Sequence, residues 1–278
     1  MGFELETAAP SDQPLTRVAI DPVSRVEGHG KVTILLDAQQ RVHQVRLHIV
    51  EFRGFERIAQ GRPYWEIPVM VQRLCGICPV SHHLAASKAM DIIVGARKLT
   101  PTAEKMRRLM HYGQILQSHA LHFFHLSSPD LLFGFDAEAA RRNIVGVIDA
   151  HPDIARKGVL LRKYGQEVIR HTAGKRVHGT GSVPGGVNKC LSAEERAALR
   201  ADIEQTVLWC REAVELIKRL HTQNRALYDR FGAFRSSSMG LVAADGALDL
   251  YHGALRVRDA DGNIVVDQAD YQGYESLL

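Results

Sequence analysis

The stretch RLCGICPVSH, residues 73–82, joins two predicted helices and holds the sharpest motif of the chain. Apolar spacing predicts a helix from Tyr64 to Arg73 before it. Pro79, a residue suited to the first position of a helix, begins a second one that we expect to reach Lys98. Cys75 and Cys78 therefore lie in a tight connection at the start of a long helix.

The segments before this motif are rich in β signals. Strands are predicted at residues 18–20, 31–36 and 42–50, where apolar and β-branched side chains are separated by turn residues. Together they form a small antiparallel sheet. A short helix at residues 53–60 follows it.

The segments after the motif are mostly helical. Thr100 caps a predicted helix that reaches about Leu126, and residues 137–150 and 152–172 predict two more. After a glycine-rich loop, Ser192 and Glu195 form a capping-box pattern before a helix of about 38 residues. Residues 255–257 and 264–266 predict a hairpin.

These elements predict an α+β fold, predominantly helical, with a large helical bundle and small peripheral antiparallel sheets. We expect residues 1–15 to form a flexible tail and residues 16–278 to form a single domain.

The composition excludes several classes of protein. The chain has 278 residues, 45% of them hydrophobic, which rules out disorder and disulfide-rich scaffolds. Its 35 basic and 31 acidic residues give a net charge of +4, so we expect no nucleic-acid partner. No apolar run approaches the roughly 18 residues of a membrane span, and the first residues lack the apolar core of a secretory signal.

A Cys-x-x-Cys pair binds metal or performs redox chemistry more often than it forms a static disulfide in a reducing compartment. By spacing alone, Cys75 and Cys78 fit half of a structural zinc site, a thioredoxin-like pair or a site for another soft metal. Arg73 adds positive charge nearby. His82, one helical turn after Cys78, is placed as a hydrogen-bond donor to a sulfur.

Two acids upstream have both a functional and an ordinary explanation. Glu27 lies in RVEGHG, residues 25–30, directly before Gly28 and near Gly30, which permit close approach, although a surface acid fits the same pattern. Glu56 ends FRGFE, residues 52–56, and equally suits the first turn of a helix.

Other chemistry-bearing residues favour ordinary roles. His119, His122 and His125 recur every third residue, which is typical of hydrogen bonding within a bundle or at an interface. The loop that contains His178 matches no phosphate-binding fingerprint. Cys190 and Cys210 are expected to be small structural residues.

Taken in order, DPVSRVEGHGKV, VEFRGFE and RLCGICPVSHH resemble the large subunit of nickel–iron hydrogenases, most closely the cytoplasmic NAD-reducing type. FFHLSSPD at 123–130 and SVPGGV at 182–187 extend the resemblance over nearly the whole chain. It implies an oxidoreductase that splits H2 reversibly into protons and electrons.

The resemblance also implies residue roles. Cys75 would be a terminal nickel ligand, and Cys78 would bridge nickel and an iron that carries CO and cyanide. Glu27 would relay protons from the thiolates, and Glu56 would bind magnesium. His82 matches the family's histidine beside the thiolates, and Asp130 an acid above the bimetallic centre.

The family's remaining two cysteines come from a DPCxxC motif that is absent here, together with an arginine and further magnesium ligands. We therefore expect a truncated chain, with a split subunit or a degenerate homologue as alternatives. The implied partners are a small iron–sulfur subunit and a flavin-containing diaphorase, with no iron–sulfur cluster in this chain. A quinone-site subunit of the complex I type and a zinc-binding structural module are the alternative functions.

Overall fold

The computed structural model of the protein describes residues 14–51 and 54–277. The chain divides into two compact units, one ending at Arg62 and the other beginning at Pro63. The expected tail lies almost entirely outside the described residues, and the single domain from 16 to 278 stays a prediction.

The first unit is built on a three-stranded antiparallel sheet. Its strands are β1 (Thr16–Ile20), β2 (Gly30–Leu36) and β3 (Val42–Ile49), in the order β1-β2-β3. The sheet predicted from the sequence is thereby confirmed. Helix α1 (Phe55–Ala59) follows Gly54, whose φ of 110° is a left-handed conformation that favours glycine.

The second unit is a helical bundle. Its helices are α2 (Ile67–Met70), α3 (Pro79–Ile93), α4 (Pro101–Leu121), α5 (Ser128–Phe133), α6 (Ile144–Ala150), α7 (Pro152–Ala173), α8 (Ala193–Ala201), α9 (Ile203–Gln223) and α10 (Arg225–Tyr228). A π-helical turn, His122–Ser127, joins α4 to α5, and 3₁₀ turns cover Tyr64–Glu66, Val71–Leu74 and Tyr271–Leu277.

The core lies where α3, α4 and α7 meet. One buried cluster consists of Val80, Leu84, Met110, Ile169 and Tyr251. A second buried cluster consists of Ala120, Phe124 and Leu161. The partly buried side chains of Trp209 and Cys210, from α9, pack against it. Helices α4 and α7 pack closely together. Two side chains of α4 reach the connection that holds the two cysteines.

Two small antiparallel sheets complete this unit, the first of them in a segment that the sequence predicted to be a loop. Strands β4 (Ser182–Val183) and β5 (Gly186–Val187) form a hairpin within the glycine-rich loop. Strands β6 (Ser238–Val242), β7 (Ala254–Arg258) and β8 (Ile264–Ala269) form the other sheet. It contains the predicted hairpin.

The prediction of one long helix from Ser192 to Arg230 is wrong. The Ser192–Glu195 capping box is present, but the helix is interrupted at Asp202 and Asn224. Asp and Asn side chains favour helix ends and turns. At the first interruption, the Tyr164 hydroxyl of α7 donates to the Leu199 carbonyl at 2.9 Å, which compensates a carbonyl released there.

Three other helix boundaries differ from the prediction. The helix predicted at 137–150 begins only at Ile144, because the Asn143 side chain caps the backbone amides of Val145 and Gly146 at 2.9 and 3.1 Å. Helix α3 ends at Ile93, before Gly95 with its φ of 77°. The helix predicted at 64–73 is a short α-helix flanked by 3₁₀ turns.

Candidate metal centre

The Cys75–Cys78 connection brings three potential metal ligands together. The sulfur atoms of Cys75 and Cys78 and a ring nitrogen of His82 all lie within 4.8 Å of one another. Cys78 immediately precedes α3 and His82 lies one turn into it, so the helix places the imidazole beside the sulfurs. Among residues 14–51 and 54–277, no other group of three or more His, Cys, Asp or Glu side chains is arranged to share an ion.

The donor set of this group suits a soft metal. Two thiolates and an imidazole are ligands typical of nickel, zinc, copper(I) or iron. The three side chains are only partly buried, so a ligand from outside the loop can reach them. Three donors leave room for further ligands, which is a requirement of a site that performs chemistry.

Backbone amides of the connection point at the first sulfur. The amides of Cys78 and Ile77 donate to Cys75 Sγ at 3.1 and 3.4 Å. Such bonds stabilise negative charge on sulfur, because charge-assisted hydrogen bonds are stronger than neutral ones. The connection therefore directs two backbone donors at the Cys75 sulfur.

Side chains distant in the sequence hold the backbone of the connection. His178 Nε2 lies 3.1 Å from the Cys75 carbonyl oxygen, and Arg73 Nη1 lies 3.2 Å from His178 Nδ1. Arg73 is always a donor, so Nδ1 accepts and Nε2–H donates. The amide groups of Gln114 and Gln117, from α4, both contact the Ile77 carbonyl.

Buried polar groups fix α3 beneath the site. His83 donates from Nδ1 to the Pro68 carbonyl at 2.7 Å and accepts the Ser182 amide on Nε2 at 3.0 Å. Burial lowers the pKa of His83, so both bonds are those of a neutral imidazole. The histidine thus ties α3 to the residues before it and to the β4–β5 hairpin.

A buried ion pair fixes the other end of the same helix. Arg107 of α4 is fully buried and contacts both carboxylate oxygens of Asp91, at 2.6 and 3.1 Å. It also donates to the carbonyls of Val183 and Gly186, and Asp91 accepts the Gly185 amide at 2.7 Å. Every charge is paired, which a buried ion pair requires.

Glu27 and Glu56 both belong to the first unit. Glu27 is exposed in this chain, in a turn where Gly28 has a φ of 82°. Nearby, His29 Nδ1 lies 2.5 Å from Glu51 Oε1. Glu56 is an exposed acid in the first turn of α1, and Phe52 and Arg53 of its motif lie outside the described residues.

Asp130 lies in the second unit, in the first turn of α5. Its Oδ1 lies 3.5 Å from Nε of Arg142, in a partly buried position. It does not belong to the ligand group of Cys75, Cys78 and His82. The roles predicted for Glu27, Glu56 and Asp130 remain predictions.

The histidines of the series 119, 122 and 125 and the cysteines outside the motif have ordinary surroundings. His119 contacts the Ile115 carbonyl at 2.9 Å, and His122 contacts Ser127 at 3.3 Å. Burial lowers the pKa of His125 and raises the pKa of the Cys210 thiol. Cys190 is exposed.

The residues that support the connection and α3 were not predictable from the sequence: Gln114, Gln117, His83 and the Asp91–Arg107 pair. The residues around each of them in the sequence do not indicate this role, because each contacts a partner 15 to 40 positions away. His178 was predicted to belong to a structural loop, and its contact with the Cys75 carbonyl was not predicted.

Comparisons with known proteins agree with this arrangement. A family profile described as nickel-dependent hydrogenase matches residues 53–142, and one described as HoxL-like matches residues 17–52. The chain is 47% identical to the beta subunit of the NAD-reducing hydrogenase HoxS of Cupriavidus necator, over 93% of this chain and 55% of the relative. This chain belongs to the nickel-dependent hydrogenase large-subunit family.

Other relatives and solved structures support the same assignment. An F420-non-reducing hydrogenase subunit from Methanocaldococcus jannaschii is 44% identical over 90% of this hydrogenase-family chain and 60% of its own length. A crystal structure of an NAD+-reducing [NiFe]-hydrogenase in the H2-reduced state superposes with a TM-score of 0.91 at 60% identity, covering 94% of this chain and 58% of that one. The NiFeSe hydrogenase of Desulfovibrio vulgaris Hildenborough gives 0.72 at 25% identity, with coverage of 91% and 54%.

The hydrogenase-family chain spans about half the length of the curated relatives it matches. The described part contains no helix with both the length and the apolar character needed to cross a membrane. The predicted family and fold class are confirmed.

Proposed function

We propose that this chain provides one half of the ligand set of a nickel–iron centre that catalyses the reversible oxidation of H2. The observation that carries the proposal is the grouping of Cys75, Cys78 and His82 within 4.8 Å, in a chain of the nickel-dependent hydrogenase family. When bound, such a centre supplies the site at which H2 is polarised and split heterolytically.

The thiolates of Cys75 and Cys78 would hold the nickel–iron centre, Cys75 as a ligand of nickel and Cys78 as a ligand shared with iron, as the family resemblance implies. Two thiolates do not complete a sulfur-rich four-ligand site. The second pair therefore comes from another part of the large subunit, in this polypeptide or in a separate one. His82 donates a hydrogen bond toward a sulfur and limits the thiolates' exposure to water.

The acids have separate tasks in this proposal. Glu27 accepts and passes on the proton that leaves the thiolates, because heterolytic cleavage needs a base within reach. Glu56 binds magnesium, a hard cation that prefers carboxylate oxygen. Asp130, held by Arg142, contributes an acid near the centre.

The wider assignment follows the family resemblance. Iron carries CO and cyanide, and electrons leave through a small iron–sulfur subunit, then through a flavin-containing diaphorase to NAD. The 47% identity to a subunit of an NAD-reducing hydrogenase supports this acceptor. We propose a cytoplasmic location.

Cysteine variants test the proposal most directly. In the assembled large subunit, we expect Cys75→Ser and Cys78→Ser each to lose most of the bound nickel, measured by elemental analysis, and the infrared bands of CO and cyanide. Hydrogen–deuterium exchange from D2 should be lost with them, because serine is a poor ligand for a soft metal.

Cys190→Ser is the matched control, because Cys190 is an exposed cysteine outside the ligand group. It should retain nickel, both sets of infrared bands and exchange activity. Nickel retained in both Cys75→Ser and Cys78→Ser would overturn the proposal. One zinc per chain in place of nickel, with no CO or cyanide bands, would identify a structural zinc module instead.

A further inference from the structure

The carbonyl of Ile77, between the two cysteines, accepts hydrogen bonds from two buried glutamines. Gln114 Nε2 lies 2.9 Å and Gln117 Nε2 lies 2.6 Å from the Ile77 oxygen. The glutamines are only 2% and 4% exposed. Three residues apart on α4, they share one face of that helix, so the helix presents both amides to a single backbone oxygen.

The orientation of these amides is set by the connection. A carbonyl oxygen can only accept, so each amide must present its nitrogen to it. For Gln114 this leaves the buried Oε1 atom with no hydrogen-bond partner among the described residues. A buried polar atom left unsatisfied is unfavourable, which indicates that the contact with Ile77 dominates the placement of this side chain.

The fixed carbonyl also fixes the neighbouring amide. The Ile77 carbonyl and the Cys78 N–H belong to one planar trans peptide unit, so they point in opposite directions. With the oxygen directed into α4, the N–H is directed away from it, and it donates to Cys75 Sγ at 3.1 Å. The glutamines therefore act on the sulfur of Cys75 without touching it.

The opposite side of the connection is held independently. His178 Nε2–H donates to the Cys75 carbonyl at 3.1 Å. With the Cys75 backbone held by His178 and the Ile77–Cys78 peptide held from α4, rotation of that peptide is restrained at both ends.

We propose that Gln114 and Gln117 are positioning residues of the metal-binding connection, which clamp the Ile77 carbonyl and thereby direct the Cys78 amide at the Cys75 sulfur. The consequence for metal binding rests on the function proposed above. The clamp itself is a property of the metal-free chain and can be measured there.

The amide of Cys78 reports the clamp directly. In the full chain labelled with ¹⁵N-cysteine, the four cysteines give four backbone amide signals. Gln114→Met and Gln117→Met keep the size of the side chain but remove its donor. We expect the double variant to shift the Cys78 amide signal upfield and to speed its hydrogen exchange about tenfold or more, as loss of a hydrogen bond should.

Each single variant retains one donor to Ile77, so the effect of the double variant should exceed the sum of the single ones. Cys75→Ala, which removes the acceptor sulfur, should give a similar displacement of the Cys78 signal. The signals of Cys190 and Cys210 should stay in place throughout. An unmoved Cys78 amide in the double variant would overturn the proposal.

Leu161→Ala separates the clamp from general destabilisation. Leu161 is buried in the bundle with Ala120 and Phe124, and its truncation should lower stability while the Cys78 signal stays unmoved. If Leu161→Ala displaces that signal as far as the glutamine variants do, the clamp is not specific and the proposal fails.

A second measurement connects the clamp to metal. In the assembled large subunit, the double glutamine variant should bind nickel about 10- to 100-fold more weakly, the range for lost supporting contacts. Nickel binding unaffected by both Cys75→Ser and Cys78→Ser would refute the proposed function and leave the amide result standing. A normal amide signal in the double variant would refute the clamp and leave the proposed function standing.

Discussion

At the scale of single residues, the site depends on side chains that hold backbone groups rather than metal. His83 is the clearest example, because it is fully buried and uses both ring nitrogens on backbone partners. Its neutral form is required for the bond from the Ser182 amide, since a protonated imidazole cannot accept. The protonation of one residue is thereby coupled to the packing of α3.

This coupling predicts a specific pH dependence. Burial lowers the pKa of His83 below its ordinary value of 6.5 in the folded chain. Below pH 6.5 the unfolded chain therefore binds a proton that the folded chain does not, so folding stability falls as the pH falls. His83→Gln preserves a donor and an acceptor but not the titration, so its stability should decline less between pH 8 and pH 5.

Urea unfolding at several pH values measures the difference. The exposed His43 provides the control, and His43→Gln should follow the wild-type profile. A constant stability difference between wild type and His83→Gln from pH 8 to pH 5 would show that His83 is not the coupled group.

At the scale of elements, α4 and α7 approach each other closely along the part of α4 that carries the two glutamines. Glycine permits it at the crossing. A Cβ atom on Gly165 of α7 would lie 2.7 Å from both the backbone nitrogen of Gln117 and the backbone oxygen of Gly113. Backbone atoms cannot rotate away as a side chain can. The helices would have to separate at the position of Gln117.

Gly165→Ala should accordingly destabilise the chain by about 1–3 kcal/mol, the usual cost of overpacking, although alanine is the better helix former. Urea unfolding measures this. Gly240→Ala is the matched exchange, because nothing lies within 4 Å of a Cβ added there, and it should leave stability unchanged or slightly raised. Equal behaviour of the two variants would mean that close approach does not require Gly165.

The interruptions of the predicted helices also belong to this scale. Apolar periodicity runs through Asp202, so it predicts one continuous helix from Ser192. The break becomes favourable because Tyr164 of α7 accommodates a released carbonyl. The contact from Tyr164 thus supports a helix end at a position where the local apolar periodicity alone predicts a continuous helix.

At the scale of the whole molecule, the proposed chemistry divides between the two compact units. Cys75, Cys78, His82 and Asp130 belong to the second unit, whereas Glu27 and Glu56 belong to the first. In the proposed function, Cys75 and Cys78 hold the metal and Glu27 transfers protons, so substitutions should affect these two tasks separately.

Glu27→Gln tests this separation. In the assembled large subunit it should leave nickel content and the CO and cyanide bands intact, because glutamine replaces no metal ligand. It should slow hydrogen–deuterium exchange roughly 100-fold or more, the scale of a lost general base. The control Glu204→Gln changes an exposed acid in the first turn of α9. It should leave the nickel content, the infrared bands and the exchange rate unchanged. Exchange at the wild-type rate in Glu27→Gln would remove Glu27 from the proton path.

The sequence by itself determined the family, the fold class and the close grouping of Cys75, Cys78 and His82. Cys75, Cys78 and His82 lie within eight positions of one another, so the local turn and the first turn of α3 suffice to bring them together. The β1–β3 sheet, the β7–β8 hairpin and the capping box at Ser192 were predictable for the same reason, since each depends on neighbouring residues.

Only the tertiary structure decided what holds that group in place. Gln114, Gln117 and His178 reach the connection from 37 to 103 positions away, and the partner of Arg107 is on another helix. A glutamine on a helix has no local pattern that separates a solvated amide from a buried one. Its role appears only in the folded bundle, because a buried amide must find a partner within the protein, and here that partner is the backbone between the two cysteines.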